Sequence, residues 1–456
     1  MTLLMNHPFA DIKPGDSASI SRTLTPHDLE MFALMTGDVV PADTRSHQLV
    51  AQRVWCSALI AGLFDTRLPG PGTTLLHQSL DFLIPLAVGD KVDVKVTVEA
   101  TDPLHDSVRF VCSIVNQRGE GVIGGTAVVI APREHVTRES VPLPSHEPHQ
   151  AGAGYRKLIV MTAGMAPLRT AVVHPVDTLA LGAALEAARL GLIVPVLVGP
   201  VHKIQAAARE GGFDIGPFEI VDAAHSTEAA GIAAMMAGDG QVEALMKGSL
   251  QTDELMAAVL SPSVRLRTGR HMSHVFAIDA PGYPRALFIT DAALNVTPDL
   301  ATKRDIVQNA IDLVRALGIA RPRVAILCAI ETVNPGLPST LDAAALCKMA
   351  ERGQITGALV DGPLAFDNAV SSQAALIKGI VSPVAGHADI LLVPDMEAGN
   401  MLTRQLEYLA GAQMAAIVLG ARVPIILTSR ADPTLARLGA CAIALLLARH
   451  QQAWPA

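Results

Sequence analysis

Residues 131–156 read APREHVTRESVPLPSHEPHQAGAGYR. This stretch is rich in proline and polar residues and has no apolar period, which marks a linker, so the chain is expected to divide here. Its histidines, His135, His146 and His149, have no regular ligand spacing and no cysteine or acidic partners, and they are read as solvated linker residues.

Before the break the period is two. Val92, Val94, Val96 and Val98 alternate with Asp93, Lys95, Thr97 and Glu99, and Val108, Phe110, Cys112 and Ile114 repeat the pattern up to a turn at Arg118-Gly119-Glu120. Such alternation predicts half-buried antiparallel strands. Two helices are expected ahead of them: Thr25 to Met35, opened by a Thr25-x-x-Asp28 capping signal, and His47 to Phe64, apolar enough to be wrapped by a curved sheet. The region is α+β.

After the break strands and helices alternate. Expected strands are Leu158 to Thr162, Ile193 to Val198, Phe218 to Val221, Val242 to Met246, Arg323 to Cys328, Gly357 to Val360, Ile390 to Val393, Ala415 to Leu419 and Pro424 to Leu427. A further strand, Arg285 to Thr290, is expected to pair with His274 to Ile278. Helices are expected at Asp177 to Leu190, Thr227 to Ala237, Thr302 to Leu317 (capped by Thr302-x-x-Asp305) and Leu341 to Glu351. Near-continuous apolar strands joined by helices predict a mostly parallel sheet covered on both faces.

The 456 residues are enough for two or three domains, half of them are apolar, and 17% are charged, so burial can offset the ordering entropy. No apolar run reaches about 18 residues, so no membrane partner is expected. Met1 to Ala10 lacks the pattern of a secretory signal, and the chain is assigned to the cytoplasm. Five cysteines without a C-x-x-C pair indicate neither disulfides nor zinc, and they are read as buried thiols. With 43 acids against 35 bases and no basic run, nucleic acid is not an expected partner.

Parallel sheets put their sites at the carboxyl ends of strands. Several expected strands end in polar residues: Lys247-Gly248, Asp291, Glu331, Asp361-Gly362, Asp395 and Ser429-Arg430. Gathered on one rim, they suggest a site for an anionic substrate. No G-x-x-x-x-G-K-[ST] loop or G-x-S-x-G elbow occurs, and Gly152-Ala153-Gly154 does not follow a strand, so ATP, NAD and a serine hydrolase are not supported. His271 and His274 are two imidazoles without a third ligand, so no metal is expected. Ser429-Arg430 ends a strand just before a helix beginning near Asp432, where backbone N–H groups favour an anion that arginine can grip in bidentate fashion.

From Lys157 onward the chain resembles the phosphate acetyl/butyryltransferase family. The motifs that carry the resemblance are Met246-Lys247-Gly248, Arg267-Thr268-Gly269-Arg270, Ile289-Thr290-Asp291-Ala292-Ala293-Leu294-Asn295, Glu331-Thr332-Val333-Asn334-Pro335, Asp361-Gly362-Pro363, Ala398-Gly399-Asn400 and Thr428-Ser429-Arg430-Ala431-Asp432. The resemblance implies acyl transfer between coenzyme A and phosphate, in a fold similar to the isocitrate/isopropylmalate dehydrogenases, with two α/β lobes around a cleft and assembly into a dimer or larger homo-oligomer. Coenzyme A and acyl-CoA are then substrates, phosphate is the other partner, and no permanently bound cofactor is implied. It assigns Arg430 to phosphate and transition-state charge, Ser429 to coenzyme A or the leaving group, and Arg270, with Arg267, to the acyl phosphate. Lys247, Asp291, Asn295, Asp361 and Asn400 are implied as further substrate contacts. The family's catalytic acid, six residues after this arginine, is Ala436 here, and Asp432 is its proposed substitute.

The region from about residue 8 to 132 resembles a MaoC-like hot-dog domain of the (R)-specific enoyl-CoA hydratase type, on Phe32-Ala33-Leu34-Met35-Thr36-Gly37-Asp38 and Leu68-Pro69-Gly70-Pro71-Gly72-Thr73. Active members pair an Asp with a His five residues later. This chain keeps Asp38 but has Asp43 at the histidine position and Val40 where Asn is usual. Two carboxylates do not supply the base and donor that imidazole does, so hydration is expected to be lost or weak, with His47 as an alternative base. The expected organisation is a hot-dog domain at 8–132, a linker at 133–156 and an acyltransferase domain at 157–456. The acyltransferase domain has one lobe at 157–295 plus 430–456 and the other at 296–429. Three readings stay open: an acyltransferase with a degenerate hydratase, a bifunctional enzyme, and a non-catalytic acyl-CoA-binding scaffold.

Overall fold

The computed structural model describes residues 2–36, 54–140, 152–427 and 432–453. The chain forms two compact units, 1–148 and 149–456.

In the first unit the strands are β1 (Thr2–Met5), β2 (Ser17–Thr23), β3 (Thr74–Phe82), β4 (Lys91–Asp102), β5 (Ser107–Asn116), β6 (Gly121–Ile130) and β7 (Thr137–Ser140), and the helices are α1 (Pro26–Thr36) and α2 (Val54–Thr66). The alternation read in the sequence sets the sheet: Val92, Val94, Val96, Val108, Phe110, Cys112 and Ile114 are all at most 1% exposed, while their neighbours face outward. Each buried large aliphatic or aromatic side chain on this face contributes about 1.5–3 kcal/mol, and the face forms part of one apolar core with α2. Five antiparallel strands in the order β2-β4-β5-β6-β3 carry α2 on that face, with the ring of Phe64 of α2 tilted by 54° against that of Phe110 at 5.0 Å between centroids. This is the hot-dog arrangement. Thr25 and Asp28 form the expected capping box: the Asp28 N–H donates to Thr25 Oγ1 (3.2 Å) and the Thr25 N–H to Asp28 Oδ2 (2.9 Å).

The expected linker is not irregular throughout. Residues 137–140 pair with Thr2–Met5 as an antiparallel ribbon, because the N-terminal segment offers a free edge, and Asn6 exchanges hydrogen bonds with Val136. The first unit therefore begins before residue 8 and continues past 132.

The second unit contains β8 (Leu168–Val173), β9 (Ile193–Val198), β10 (Glu219–Val221), β11 (Ala244–Lys247), β12 (Ser273–Asp279), β13 (Leu287–Thr290), β14 (Arg323–Leu327), β15 (Leu359–Leu364), β16 (Ile390–Leu392), β17 (Gln413–Leu419) and β18 (Ile425–Leu427). Its helices are α3 (Ala153–Met161), α4 (Thr178–Arg189), α5 (Val201–Gly211), α6 (Ser226–Gly238), α7 (Thr252–Leu260), α8 (Leu300–Ala316), α9 (Pro338–Glu351), α10 (Phe366–Val370), α11 (Ser372–Ile377), α12 (Met396–Ala410) and α13 (Thr434–Ala453). All eleven strands join one sheet, ordered β10-β9-β8-β11-β18-β17-β12-β13-β16-β14-β15. Alternate residues of a strand feed separate cores on the two faces: Leu168 and Val172 enter one, Ala171 and Val173 the other.

Strand direction reverses across this sheet. Strands β10, β9, β8, β11 and β18 are parallel, β17 is antiparallel to both β18 and β12, β12 is antiparallel to β13, and β13, β16, β14 and β15 are parallel again. The carboxyl ends of the two parallel sets therefore lie at opposite ends of the sheet, and the strand-end residues do not share one rim. The lobe boundaries at 295 and 430 are also corrected. The strands β17 and β18, from the segment 296–429, are inserted between β11 and β12, both from 157–295.

Two element assignments change. Leu158 to Thr162 belongs to a helix, since so short an apolar run does not separate strand from buried helix. Here Tyr155 fixes the helix by donating its hydroxyl to the Ala277 and Gln413 carbonyls at 2.7 and 2.9 Å. The strand Leu168–Val173 escapes the apolar-run criterion because Arg169 and Thr170 interrupt it; Arg169 points outward to Glu219 at 2.6 Å. The cap of α8 is Asp299, which accepts from the Thr302 N–H at 2.8 Å, whereas Asp305 faces His271 and Arg304.

Candidate active site

At one end of the sheet β8, β11 and β18 finish while α4 and α13 begin. Lys247 is the last residue of β11 and only 9% exposed. The chain after it folds against the end of β8: the Gly248 N–H donates to the Val173 carbonyl and the Ser249 N–H to the His174 carbonyl, each at 2.9 Å. A Cβ at position 248 would lie 2.4 Å from the Val173 oxygen, so only glycine permits this approach. His174 is buried with φ of 56° and places Nδ1 3.2 Å from the Ser249 carbonyl.

Ser249 Oγ donates to Asp177 Oδ2 at 2.5 Å, and Asp177 Oδ1 caps α4 by accepting the Ala180 N–H at 2.7 Å. Arg437, buried in the first turn of α13, donates to the Leu179 carbonyl of α4 and the Asp432 carbonyl, both at 3.2 Å. One continuous set of contacts thus fixes Lys247, the first turn of α4 and the first turn of α13 at the same end. Two helix N-termini beside an ammonium group favour an anion. The segment 428–431 that connects β18 to α13 lies outside the described residues, so Ser429 and Arg430 are not described. Asp432 is half-buried ahead of α13, and Ala436, at the position of the family acid, is 1% exposed within the apolar core.

The remaining sequence-derived residues are elsewhere. Asp291 follows β13 at the opposite end of the sheet. Its Oδ1 accepts the Ala293 and Leu294 N–H groups at 3.0 Å each, and its Oδ2 accepts Asn295 Nδ2 at 2.5 Å. Asn295 also donates to the Met272 carbonyl at 2.9 Å, so this pair braces a turn. Arg270 is exposed at the same end and is paired with Asp312 at 2.5 Å. Arg267 bridges Ala421 on the neighbouring connection. Asp361 stands inside β15, opposite Ala325, because that strand runs on to Leu364. Asn400 is exposed on α12. Asp395 caps α12 through the Ala398 N–H at 2.8 Å, and Glu331 accepts from Lys378 at 2.7 Å. Of the residues named from sequence, the described structure puts Lys247 and Asp432 at one end of the sheet and Arg270, Asp291 and Asn295 at the other, since Arg270 precedes β12, which runs the same way as β11, while Asp291 and Asn295 follow β13, which runs the opposite way.

His174 was missed because the strand ahead of it was missed, Asp177 was read only as the start of a helix, and Ser249 was passed over just after Lys247-Gly248. The signal is present in the residues His174-Pro175-Val176-Asp177, which place a cap just after a strand end. His271 contacts Asp305 at 2.8 Å. His274 is fully buried edge-on to Phe276, and burial, with Arg404 adding and Asp291 opposing, lowers its pKa to about 4. Burial raises the Cys56 and Cys112 thiols to about 11 and Cys347 and Cys441 to about 12, and Cys328 also moves up. Asp38, Asp43, Val40 and His47 lie outside the described residues.

Residues 224–445 match the family model described as "Phosphate acetyl/butaryl transferase". The chain is 58% identical to the phosphate acetyltransferase of Rhizobium meliloti over 299 residues, covering 66% of this chain and 95% of the relative. It is 40% identical to the phosphate butyryltransferase of Clostridium acetobutylicum over 65% of this chain and 99% of the relative. Among solved structures, a branched-chain phosphotransacylase from Enterococcus faecalis superposes with a TM-score of 0.54 at 27% identity, covering 61% of this chain and 99% of that one. Identity at this level along nearly the whole length of a curated relative is decisive: the chain belongs to the phosphate acetyl/butyryltransferase family.

Proposed function

We propose that the second unit transfers an acetyl- or butyryl-type acyl group between coenzyme A and phosphate at the end of the sheet that holds Lys247. The observation that carries this reading is that Lys247 stands at the end of the sheet where the first turns of α4 and α13 are tied to each other, with Ser429 and Arg430 shortly preceding α13 in the sequence. A phosphate oxygen attacks the thioester carbonyl, the tetrahedral intermediate collapses, and the carbon–sulfur bond breaks to release coenzyme A thiolate, which takes up a proton. Arg430 and Lys247 stabilise the phosphate and the oxyanion, and Ser429 orients the leaving sulfur. Asp432 is the acid–base group in place of the family acid at position 436. Every cysteine whose thiol is described is shifted up, which favours direct transfer over a protein thioester.

The same reading includes two lobes of the isocitrate/isopropylmalate dehydrogenase kind, supported by the direction reversal in the sheet, assembly as a homo-oligomer, and action in the cytoplasm without a resident cofactor. Among the described residues no helix is long and apolar enough to cross a membrane. Substituting Arg430→Ala should lower phosphate-dependent thiol release by about 10²–10³-fold with an unchanged melting curve. Unchanged turnover would remove Arg430 from the mechanism.

For the first unit we propose an acyl-CoA-docking or assembly role with hydration lost or weak, because Asp43 replaces the histidine. Loss of the enoyl thioester absorbance of crotonyl-CoA, abolished by Asp38→Ala, would establish the bifunctional reading instead.

A further inference from the structure

A second candidate site lies at the other end of the sheet. A cavity of about 1250 Å³ opens between the two connections that carry the chain across the sheet, residues 268–270 before β12 and 420–424 between β17 and β18. These connections are tied to each other: Thr268 Oγ1 donates to the Gly420 carbonyl at 2.7 Å and the Arg422 N–H to the Leu266 carbonyl at 2.9 Å. Gly420, at φ of 84°, leaves no room for a side chain, since a Cβ would sit 2.6 Å from the His271 oxygen. The walls are completed by α8 and the last turns of α13.

The charge of this cavity runs against that of the protein. The chain carries a formal net charge of −8, yet the cavity is lined by Arg270, Arg315 and Arg422 with Asp312 as its one acid, a balance of three minus one, or +2, before His450 is counted. Asp312 pairs with Arg270. Among the described residues neither Arg315 nor Arg422 has a carboxylate partner; Arg422 reaches only the Gly238 and Arg265 carbonyls, at 3.4 and 3.3 Å. Two arginines without acid partners, both lining a space of cofactor size that has apolar walls at Val423 and Leu447, match a ligand that carries two phosphates.

The cavity is not the acyl-transfer site. It borders His450 near the end of α13, whereas Asp432 and Arg437 stand at its beginning; at about 1.5 Å per residue the two ends are roughly 24 Å apart. We propose that this cavity is a second anion site, which binds a diphosphate compound through Arg315 and Arg422 and is separate from the acyl-transfer centre.

The test is calorimetric titration of the full-length protein with pyrophosphate and with ADP at constant ionic strength, beside the Arg315→Ala/Arg422→Ala double variant. Both arginines are exposed, so the variant should melt as the native protein does. Saturable binding to the native protein that weakens tenfold or more in the variant, with phosphate-dependent thiol release unchanged in the absence of the diphosphate, is the expected result. Either arm alone can supply it, and preference for ADP would assign the apolar wall to the nucleoside. Absence of saturable binding by both compounds overturns the proposal. So does equal binding by the variant, which would assign the diphosphate to the acyl-transfer centre. Because turnover is read separately, failure here leaves the acyltransferase reading intact.

Discussion

Lys247 illustrates how a single residue acquires a role from its position. Its backbone closes β11, the following glycine packs on the end of β8, and only 9% of the residue remains exposed. Lys247→Met keeps the aliphatic stem and removes the charge. It should lower kcat/KM for acyl-CoA in the presence of phosphate by about 10²-fold, close to 3 kcal/mol of transition-state stabilisation, as measured by initial rates of thiol release. His274 makes a separate prediction about pH. Its imidazole is neutral in the fold down to about pH 4, while the unfolded chain takes up a proton near 6.5. The unfolded state therefore binds more protons between these values, and stability is lost as pH falls from about 6.5 toward 4, by an amount on the order of 3 kcal/mol. Urea unfolding should show this loss in the native protein and a smaller one in His274→Gln; equal pH dependence in both would contradict it.

At the scale of elements, the approach of β11's exit to β8 depends on the missing side chain at Gly248. Gly248→Ala drives a Cβ into the Val173 carbonyl, so the variant should lose about 2 kcal/mol or more and most of its turnover, as read by thermal unfolding and by rate. This junction also shows what was legible in the sequence. The alternation in β4 and β5 was readable because one face is buried and one is wet, which writes a period of two directly into residue type. The apolar strands β9, β14, β16 and β17 were readable as buried runs. Leu168–Val173 was not, since Arg169 at the sheet's margin breaks its pattern, and with it His174 was lost from view. Residues 158–162 carry an apolar run that suits either state, and only the anchoring of Tyr155 by β12 and β17 decides for a helix. Strand direction was hidden for a different reason. Residue type at Asp291 or Glu331 reports the end of a strand but carries no information on which way that strand runs, so residues on opposite ends were gathered on one rim.

For the whole molecule, the two units have separate cores: the valine face of the hot-dog sheet in one and the two faces of the eleven-stranded sheet in the other. Residues 149–456 expressed alone should therefore fold and retain phosphate-dependent thiol release, whereas an inactive but folded fragment would give the first unit a part in the chemistry. The family relationship covers this second unit, which is expected to perform acyl transfer to phosphate despite Ala436. The most direct measurement is release of free coenzyme A thiol from acetyl-, propionyl- and butyryl-CoA by the purified full-length protein, with phosphate, with arsenate in its place, and with neither. Release that requires phosphate or arsenate is predicted, and the three rates will rank the acyl chains. A folded protein that releases no thiol from any of the three under either anion would contradict it.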